Sequence, residues 1–446
     1  GSKMRIASSP HVQGILADFY ANLNLYWGDI HGHTGFSDGY GLPDEYFGHA
    51  RNTNLLDFAA ISDHAEWLNV VSERIRMNDG SPLPLWQMIV DSANAHNETG
   101  TFVTLIGWEW TSATHGHRNV YFRDSLNIPA APMDIFTHPT PTELWADLES
   151  YSCLTIPHHP IRNQHYVDWN YSHEMERLVE IYSKWGNGET WACRYEEMAY
   201  YRLFPQARYF AKSHDVLSAL KRGLRLGIVA GSDSHQGLPG STFWAPPRGI
   251  SINRDVEFLL GLSGEEFLAW LAAGNTFDHR QNMYGGGVFG AWADELKREN
   301  IWDAMYGRRV FGTTGIRPTI RFAVVDESTG QSALMGEDVV IGPGFPTILF
   351  YVEADPGTGI EVIDFFRNSE LAHRHIYSGE NQVAGFLRDE NAVVGETYMY
   401  MMRIRFKQTA NVDGDYLCSV NPSPHVTDTP QLVELAWTSP IWATRA

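Results

Sequence analysis

Histidine and carboxylate side chains recur in this chain directly after short apolar runs. Residues 25–30 lead through Asp29 into His31-Gly32-His33. On an extended backbone, residues two apart point to one side, so these two imidazoles are placed to share a metal ion. Taken alone, a His-x-His pair is equally compatible with two surface histidines. Here Ser37-Asp38-Gly39 follows within one loop, residues 55–61 end at Ser62-Asp63-His64, and residues 102–108 end at Glu109-Trp110. Further on come His115-Gly116-His117, then residues 154–157 leading into His158-His159, and residues 225–230 leading into Gly231-Ser232-Asp233-Ser234-His235. Carboxylates buried together repel one another and buried histidines need partners. Divalent cations remove both costs. Mixed imidazole and carboxylate donors suit zinc, manganese or iron better than calcium or a thiolate-preferring metal.

Such residues work together only if the fold gathers them. In the first 315 or so residues, the apolar runs 25–30, 55–61, 102–108, 154–157, 178–182 and 225–230 alternate with helix-like segments at 43–51, 85–95, 143–148, 216–221 and 265–272. That alternation predicts a parallel α/β architecture, in which the strand C-terminal ends open onto one mouth. From Arg317-Pro318 onward the pattern changes to short alternating runs at 319–325, 347–352, 361–366, 398–406 and 433–437, the signature of an antiparallel β domain. The expected division is therefore 20–316 for the metal-binding part and 317–446 for a sandwich-like extension.

The formal charge of −20 argues against nucleic-acid backbones and anionic membrane surfaces as partners. A small-molecule substrate is the expected partner, and the sequence is silent on oligomeric state. Cys153, Cys193 and Cys418 are too few and too scattered for a disulfide framework. We find no apolar run long enough to span a membrane. Gly1-Ser2-Lys3 reads as an expression remnant ahead of Met4. The expected compartment is the cytoplasm, or the periplasm or exterior if a leader has been trimmed.

The ordered set His31-x-His33, Ser37-Asp38-Gly39, Ser62-Asp63-His64, Gly107-x-Glu109, Pro157-His158 and Ser232-Asp233-Ser234-His235 resembles the polymerase and histidinol phosphatase (PHP) family. The segments 307–315 and 437–442 look like a larger, poorly characterised branch that carries a β extension. The resemblance implies a distorted seven-stranded (β/α) barrel with two or three divalent transition metals. It implies His31, His33 and Asp233 at a first metal, with Glu109 bridging to a second that His117 and His158 complete, and Asp38, His64 and His235 at a third. His115 competes with His117 for its place, and His159 with His158.

The implied activity is metal-dependent hydrolysis, foremost of a phosphoester, by a metal-bridging hydroxide on a small-molecule ester. A carboxylic ester, amide or carbamate hydrolase with the same centre is the alternative, and a non-catalytic metal-containing binding protein is a third reading. Asp63 and His159 are candidates for proton transfer, Asp63 also for orienting a ligand histidine. Lys184, Arg248, His279 and Arg280 are candidates to hold a substrate anion, with Arg162 and Arg317 behind them. Trp108 and Trp110 should turn to the strand face opposite Glu109; these and Trp27, Trp67 and Trp185 read either as barrel-to-helix packing or as an aromatic pocket wall.

Overall fold

A computed structural model describes residues 6–162, 165–190, 213–240, 256–276, 286–407 and 434–446. The architecture is mixed α/β, with one large sheet and two smaller ones among these residues. Asn24–Asp29, Phe58–Ala60 and Val103–Trp110 lie side by side and parallel. Helices Pro43–Asn52, Ala65–Arg74 and Leu85–His96 make the crossovers between them. Pro43 opens the first of these where its missing N–H costs nothing. Val103–Trp110 pairs antiparallel with Arg118–Phe122, which pairs antiparallel with Cys153–Pro157. Here the uniformly parallel expectation is corrected. Only residues 111–117 separate the first two of these strands, too few for the crossover that a parallel pair requires. Leu178–Ser183 and Gly227–Ala230 run parallel in a three-stranded sheet with Gly186–Asn187.

Beneath the strand ends lies an apolar plug that includes Ile30, Phe58, Val103, Leu105, Tyr121, Leu154, Leu178 and Val229. Burying each large aliphatic or aromatic side chain stabilises the fold by about 1.5–3 kcal/mol. Gly28 belongs to this packing. A Cβ there would stand 2.2 Å from the Phe58 ring, so only glycine lets the first strand settle against it.

The large sheet continues beyond the first strand on its other edge. Asn24–Asp29 pairs antiparallel with Val288–Ala293, which pairs with Val310–Thr313, which pairs with Glu434–Thr438. Thr397–Phe406 then pairs with both Glu434–Thr438 and Ile441–Arg445. Strands from both sides of residue 317 thus share one hydrogen-bonded sheet. A second, five-stranded sheet has Thr319–Asp326, Pro346–Glu353 and Gln382–Arg388 at its centre. Its inward residues Ile320, Phe322, Ile348 and Phe350 join Ile363, Phe365, Met402 and Ile404 of the large sheet in one core, where the Phe350 and Phe365 rings meet edge to face at 5.2 Å. Glu189 ties the early chain to this part: its carboxylate accepts from Arg403 Nη1 at 2.6 Å and Trp437 Nε1 at 2.8 Å. No helix among the described residues is long and apolar enough to cross a membrane.

Candidate metal centre

The strand ends are laced together by backbone bonds that alternate with the candidate side chains. His33 N–H donates to Ser234 O at 2.8 Å, Ser62 N–H to Gly32 O at 2.9 Å, and Glu109 N–H to Asp63 O at 3.0 Å. On the far side, Lys184 N–H donates to Ser232 O at 3.2 Å, and Thr155 N–H donates to Met175 O at 3.1 Å. Asp29, the last residue of its strand, clamps the 231–240 loop to the His31 segment. Its carboxylate accepts from the N–H groups of His31 at 3.1 Å, Ser232 at 3.1 Å and Gly240 at 2.6 Å, and from the Ser232 hydroxyl.

Ten buried side chains meet in the bowl so formed: His31, His33, Asp38, His64, Glu109, His117, His158, His159, Asp233 and His235. They fall into four overlapping groups whose donor atoms lie within 4.8 Å of one another: His33-Asp38-His64-His235, His117-His158-His159, His31-His33-Asp233 and His31-Glu109-His158. Glu109 sits at the middle. Its oxygens are 2.7 Å from His117 Nδ1, 3.4 Å from His31, His33 and His64, and 3.5 Å from His158 Nε2. Asp233 Oδ1 is 3.0 Å from His33 Nε2 and 3.4 Å from His31 Nε2. Asp38 is 3.2 Å from both His64 Nε2 and His235 Nε2. Asp233 holds a left-handed backbone, φ 51°, a conformation that a non-glycine residue adopts only when its surroundings enforce it.

The electrostatics follow from crowding. Burial opposes charge on His31, yet Asp233 and Glu180 outweigh it and hold the imidazole pKa well above its ordinary value. Glu109 and Asp38 do the same for His64. Burial also opposes ionised Asp38, Glu109 and Asp233, but neighbouring histidines keep all three well below the usual carboxylate range. At the other histidines burial, helped by neighbouring cationic groups, outweighs the carboxylates: it pulls His117 and His235 down to about 4 and His158 to about 3. Those imidazoles are neutral, the form that ligates metals. Both ring nitrogens of His158 and Nδ1 of His159 are buried without a hydrogen bond among the described residues. Unsatisfied buried donors and acceptors cost about 1–3 kcal/mol each. The donor set therefore fits divalent cations.

Several neighbours were not legible beforehand. Glu180 accepts from His31 Nδ1 through both oxygens, at 3.0 and 2.9 Å. Trp185 Nε1 donates to Asp233 Oδ2 at 2.5 Å, and His64 Nδ1 lies 2.6 Å from Thr111 Oγ1. Asp63 joins none of the four groups: its carboxylate accepts from Thr34 N–H at 2.8 Å, Thr34 Oγ1 at 2.5 Å and Ser37 Oγ at 2.5 Å, bracing the loop that carries Asp38. His117 enters the bowl, whereas the half-exposed His115 packs edge-on against Tyr171. Lys184 is buried with Nζ on His235 Nδ1, and the Arg162 guanidinium stacks 3.6 Å from the Trp185 ring centroid. Arg317 lies at the opposite end of the strands, donating to the carbonyls of Asn54 and Leu55 ahead of Phe58–Ala60. Trp108 packs on Trp86 and Phe122, on the side away from Glu109. Arg248, His279 and Arg280 lie outside the described residues.

An uncharacterized protein of Chlamydia pneumoniae is 23% identical over 440 residues, covering 94% of this chain and 57% of that protein. One of Chlamydia muridarum is 24% identical over 432 residues with the same coverages. The chain thus spans a little over half the length of these curated relatives. Among solved structures it is similar to a two-domain protein of Bacteroides vulgatus described as containing a predicted PHP-like metal-dependent phosphoesterase, with a TM-score of 0.39, 11% identity, and coverage of 86% of this chain and 91% of that one. It is also similar to PsfC of Pseudomonas syringae, with a TM-score of 0.29, 17% identity, and coverage of 48% and 78%. Residues 73–334, more than half of the chain, match the family described as "Protein of unknown function (DUF3604)", and the chain belongs to that family.

Proposed function

We propose that this protein is a metal-dependent hydrolase acting on a small-molecule ester, foremost a phosphoester. The observation that carries the reading is the convergence of seven imidazoles and three carboxylates, all buried, in four groups of ligand spacing. The ordered PHP-like motifs support the same reading. So does the ring of strand ends that backbone bonds lace together on both sides of His31, which we take as the mouth of a distorted seven-stranded barrel. We place the barrel in residues 20–316, with the β extension after it.

Divalent transition metals bound in the bowl supply Lewis acidity: they lower the pKa of water to about 7 and offset anionic charge on the substrate. The residues supply everything else. His31, His33, Glu109 and Asp233 would hold one ion, and Asp38, His64 and His235 another. Glu180 fixes the His31 ring with its Nδ1 proton outward, so that Nε2 faces Glu109 and Asp233. Asp63 acts as a positioning residue, because Thr34 and Ser37 take both its oxygens. Lys184, beside His235, adds positive charge at the Asp233 edge, where a substrate anion would enter. The partner is a small molecule; a chain of charge −20 is a poor ligand for nucleic acid or anionic membrane.

Metal-free protein reloaded separately with zinc, manganese and iron is assayed on aryl phosphomonoesters, aryl phosphodiesters and aryl carboxylic esters. Metal-dependent release from a phosphate substrate, lost in His31→Ala and Asp233→Asn, is expected. Turnover of carboxylic esters alone replaces the phosphoesterase reading with its acyl counterpart. Less than one transition metal per chain after reloading removes the hydrolase reading altogether.

A further inference from the structure

We propose that a cavity at the opposite end of the strands from the metal bowl is a second binding site, for a small organic molecule that carries two or more phosphate or carboxylate groups. The cavity has a volume of about 620 Å³, the size of a small-ligand site. It is bounded by helix Val216–Lys221 and the loop after it, by the tip of the hairpin that Ile360–Arg367 and Glu370–Glu380 form, and by strands Thr397–Phe406 and Ile441–Arg445. Arg225, in its wall, lies just ahead of strand Gly227–Ala230, whereas Asp233 and His235 follow the other end of that strand. The four residues of the strand alone span about 13 Å, so the two sites are distinct.

Charge gives the cavity its chemistry. The chain carries a formal charge of −20, yet among the described residues the lining holds three cations, Lys221, Arg225 and Arg367, and one carboxylate, Glu370. Two further arginines stand close behind. Arg308 Nε donates to Arg225 O at 2.8 Å, and burial together with the charges of Arg177 and Arg225 pushes the Arg308 guanidinium down to about 10. Like charges held this close repel one another, and a bound polyanion relieves that repulsion.

The guanidiniums are also held ready. Those of Arg225 and Arg308 lie 5.1 and 5.4 Å from the Trp442 ring centroid, and that of Arg367 lies 5.4 Å from the Tyr398 centroid. Both rings are buried. Fully buried Asp389, which also accepts from the Tyr400 hydroxyl at 2.7 Å, takes Arg367 Nη1 with both oxygens at 2.9 and 3.1 Å. Nε and Nη2 of Arg367 make no hydrogen bond among the described residues. Planar guanidiniums fixed in this way suit bidentate contact with phosphate or carboxylate. The counter-charges of the other two cations are loosely held. Lys221 Nζ is 2.9 Å from Glu370 and Arg225 pairs with Asp338, with all four side chains between 42% and 74% exposed. Exposed pairs of this kind contribute little, so a ligand with two or more negative charges displaces Glu370 and Asp338 at small cost.

Metal-free protein is titrated calorimetrically with fructose 1,6-bisphosphate, with citrate, and with fructose as the uncharged control. Saturable binding of at least one of the two anions, and none of fructose, is expected; which anion binds distinguishes phosphate from carboxylate recognition. Arg225→Gln and Lys221→Gln, both at exposed pairs, should each weaken that binding about 10-fold or more. Arg367→Gln should do the same, with a melting curve confirming that it folds. As a check that needs no variant, the bound anion should slow hydrogen exchange in residues 216–225 and 366–371 and leave residues 31–38 unchanged. No saturable binding of either anion at millimolar concentration, fructose bound as tightly as the anions, wild-type affinity in both Arg225→Gln and Lys221→Gln, or protection confined to residues 31–38 would overturn the assignment. Because the titrations contain no metal, their failure leaves the hydrolase reading untouched; that reading stands on metal loading and ester turnover.

Discussion

Glu180 is the residue whose loss should be most informative, because it touches the centre without being placed on an ion. Its carboxylate takes the His31 Nδ1 proton with both oxygens, at 3.0 and 2.9 Å, in a setting where both residues are buried. Outer-sphere partners of this kind are worth about 10–100-fold in metal affinity, or about 1.4–2.8 kcal/mol. Glu180→Gln keeps the shape and one acceptor but loses the charge, and charge-assisted bonds are roughly twice as strong as neutral ones. It should sit at the lower end, near 10-fold. Glu180→Ala leaves His31 free to turn and should approach 100-fold. Competition against a chromophoric chelator at constant pH reads both affinities directly. Variants that bind within threefold of wild type would show that the His31–Glu180 contact does not orient a ligand, and the ordering of alanine below glutamine tests the mechanism separately from the size of the effect.

Three other perturbations follow from the packing and the charges. Metal-free protein should be most stable near pH 6.5. Below it, His117, His158 and His235, with folded pKa values of about 4, 3 and 4, stay neutral while the unfolded chain takes up protons, so stability falls with pH. Above it, His31, His33 and His64, all raised by their carboxylate neighbours against the effect of burial, and Glu66 and Glu180, both pushed by burial up to about 7, hold protons that the unfolded chain has released, so stability falls again. Each net proton contributes up to about 1.4 kcal/mol per pH unit. Urea titrations from pH 5 to 8 test it, and a profile without a maximum speaks against it. Gly28→Ala drives a methyl into the buried Phe58 ring, which already meets Phe289 at 5.1 Å. It should cost about 1–3 kcal/mol, read as a lower urea midpoint at unchanged slope. Arg403→Met strands the buried Glu189 carboxylate, which keeps the bond from the Trp437 indole N–H. A loss of about 3–5 kcal/mol is expected from breaking one side of a buried pair, and a change below 1 kcal/mol would show that the network carries little of the stability.

Most candidate ligands were legible because they follow an apolar run within a few residues; Asp38 sits further along the loop after His33, and His117 was marked by the strand that it precedes. Many of the strands were visible for the same reason, Cys153–Pro157 and Thr397–Phe406 among them, but Val288–Ala293, Val310–Thr313, Glu370–Glu380, Gln382–Arg388 and Ile441–Arg445 were not read as strands. Glu180 was not legible: it sits mid-strand in a run read as core, and its partner His31 is 149 residues away. Trp185 and Thr111 are likewise given meaning only by long-range closure. The direction of Arg118–Phe122 depended on the length of one loop rather than on any property of the strand. Among the cations, side-chain chemistry alone did not separate Lys184, inside the bowl, from Arg317, at the far end of the strands. Trp292 shows the same limit in the core, since its indole N–H finds Ile320 O across 28 residues.

The order of strands in the large sheet also sets a schedule for making the protein. The strand that delivers His31 and His33 leans on Val288–Ala293, that one on Val310–Thr313, and that one on Glu434–Thr438. Until the ribosome has passed Thr438, one flank of this ladder has no neighbour and its apolar edge is exposed to the chaperones of the nascent chain. Ion uptake into a finished bowl therefore follows the synthesis of Glu434–Thr438, and a stalled or nicked product lacking that strand should accumulate as an immature, metal-poor species.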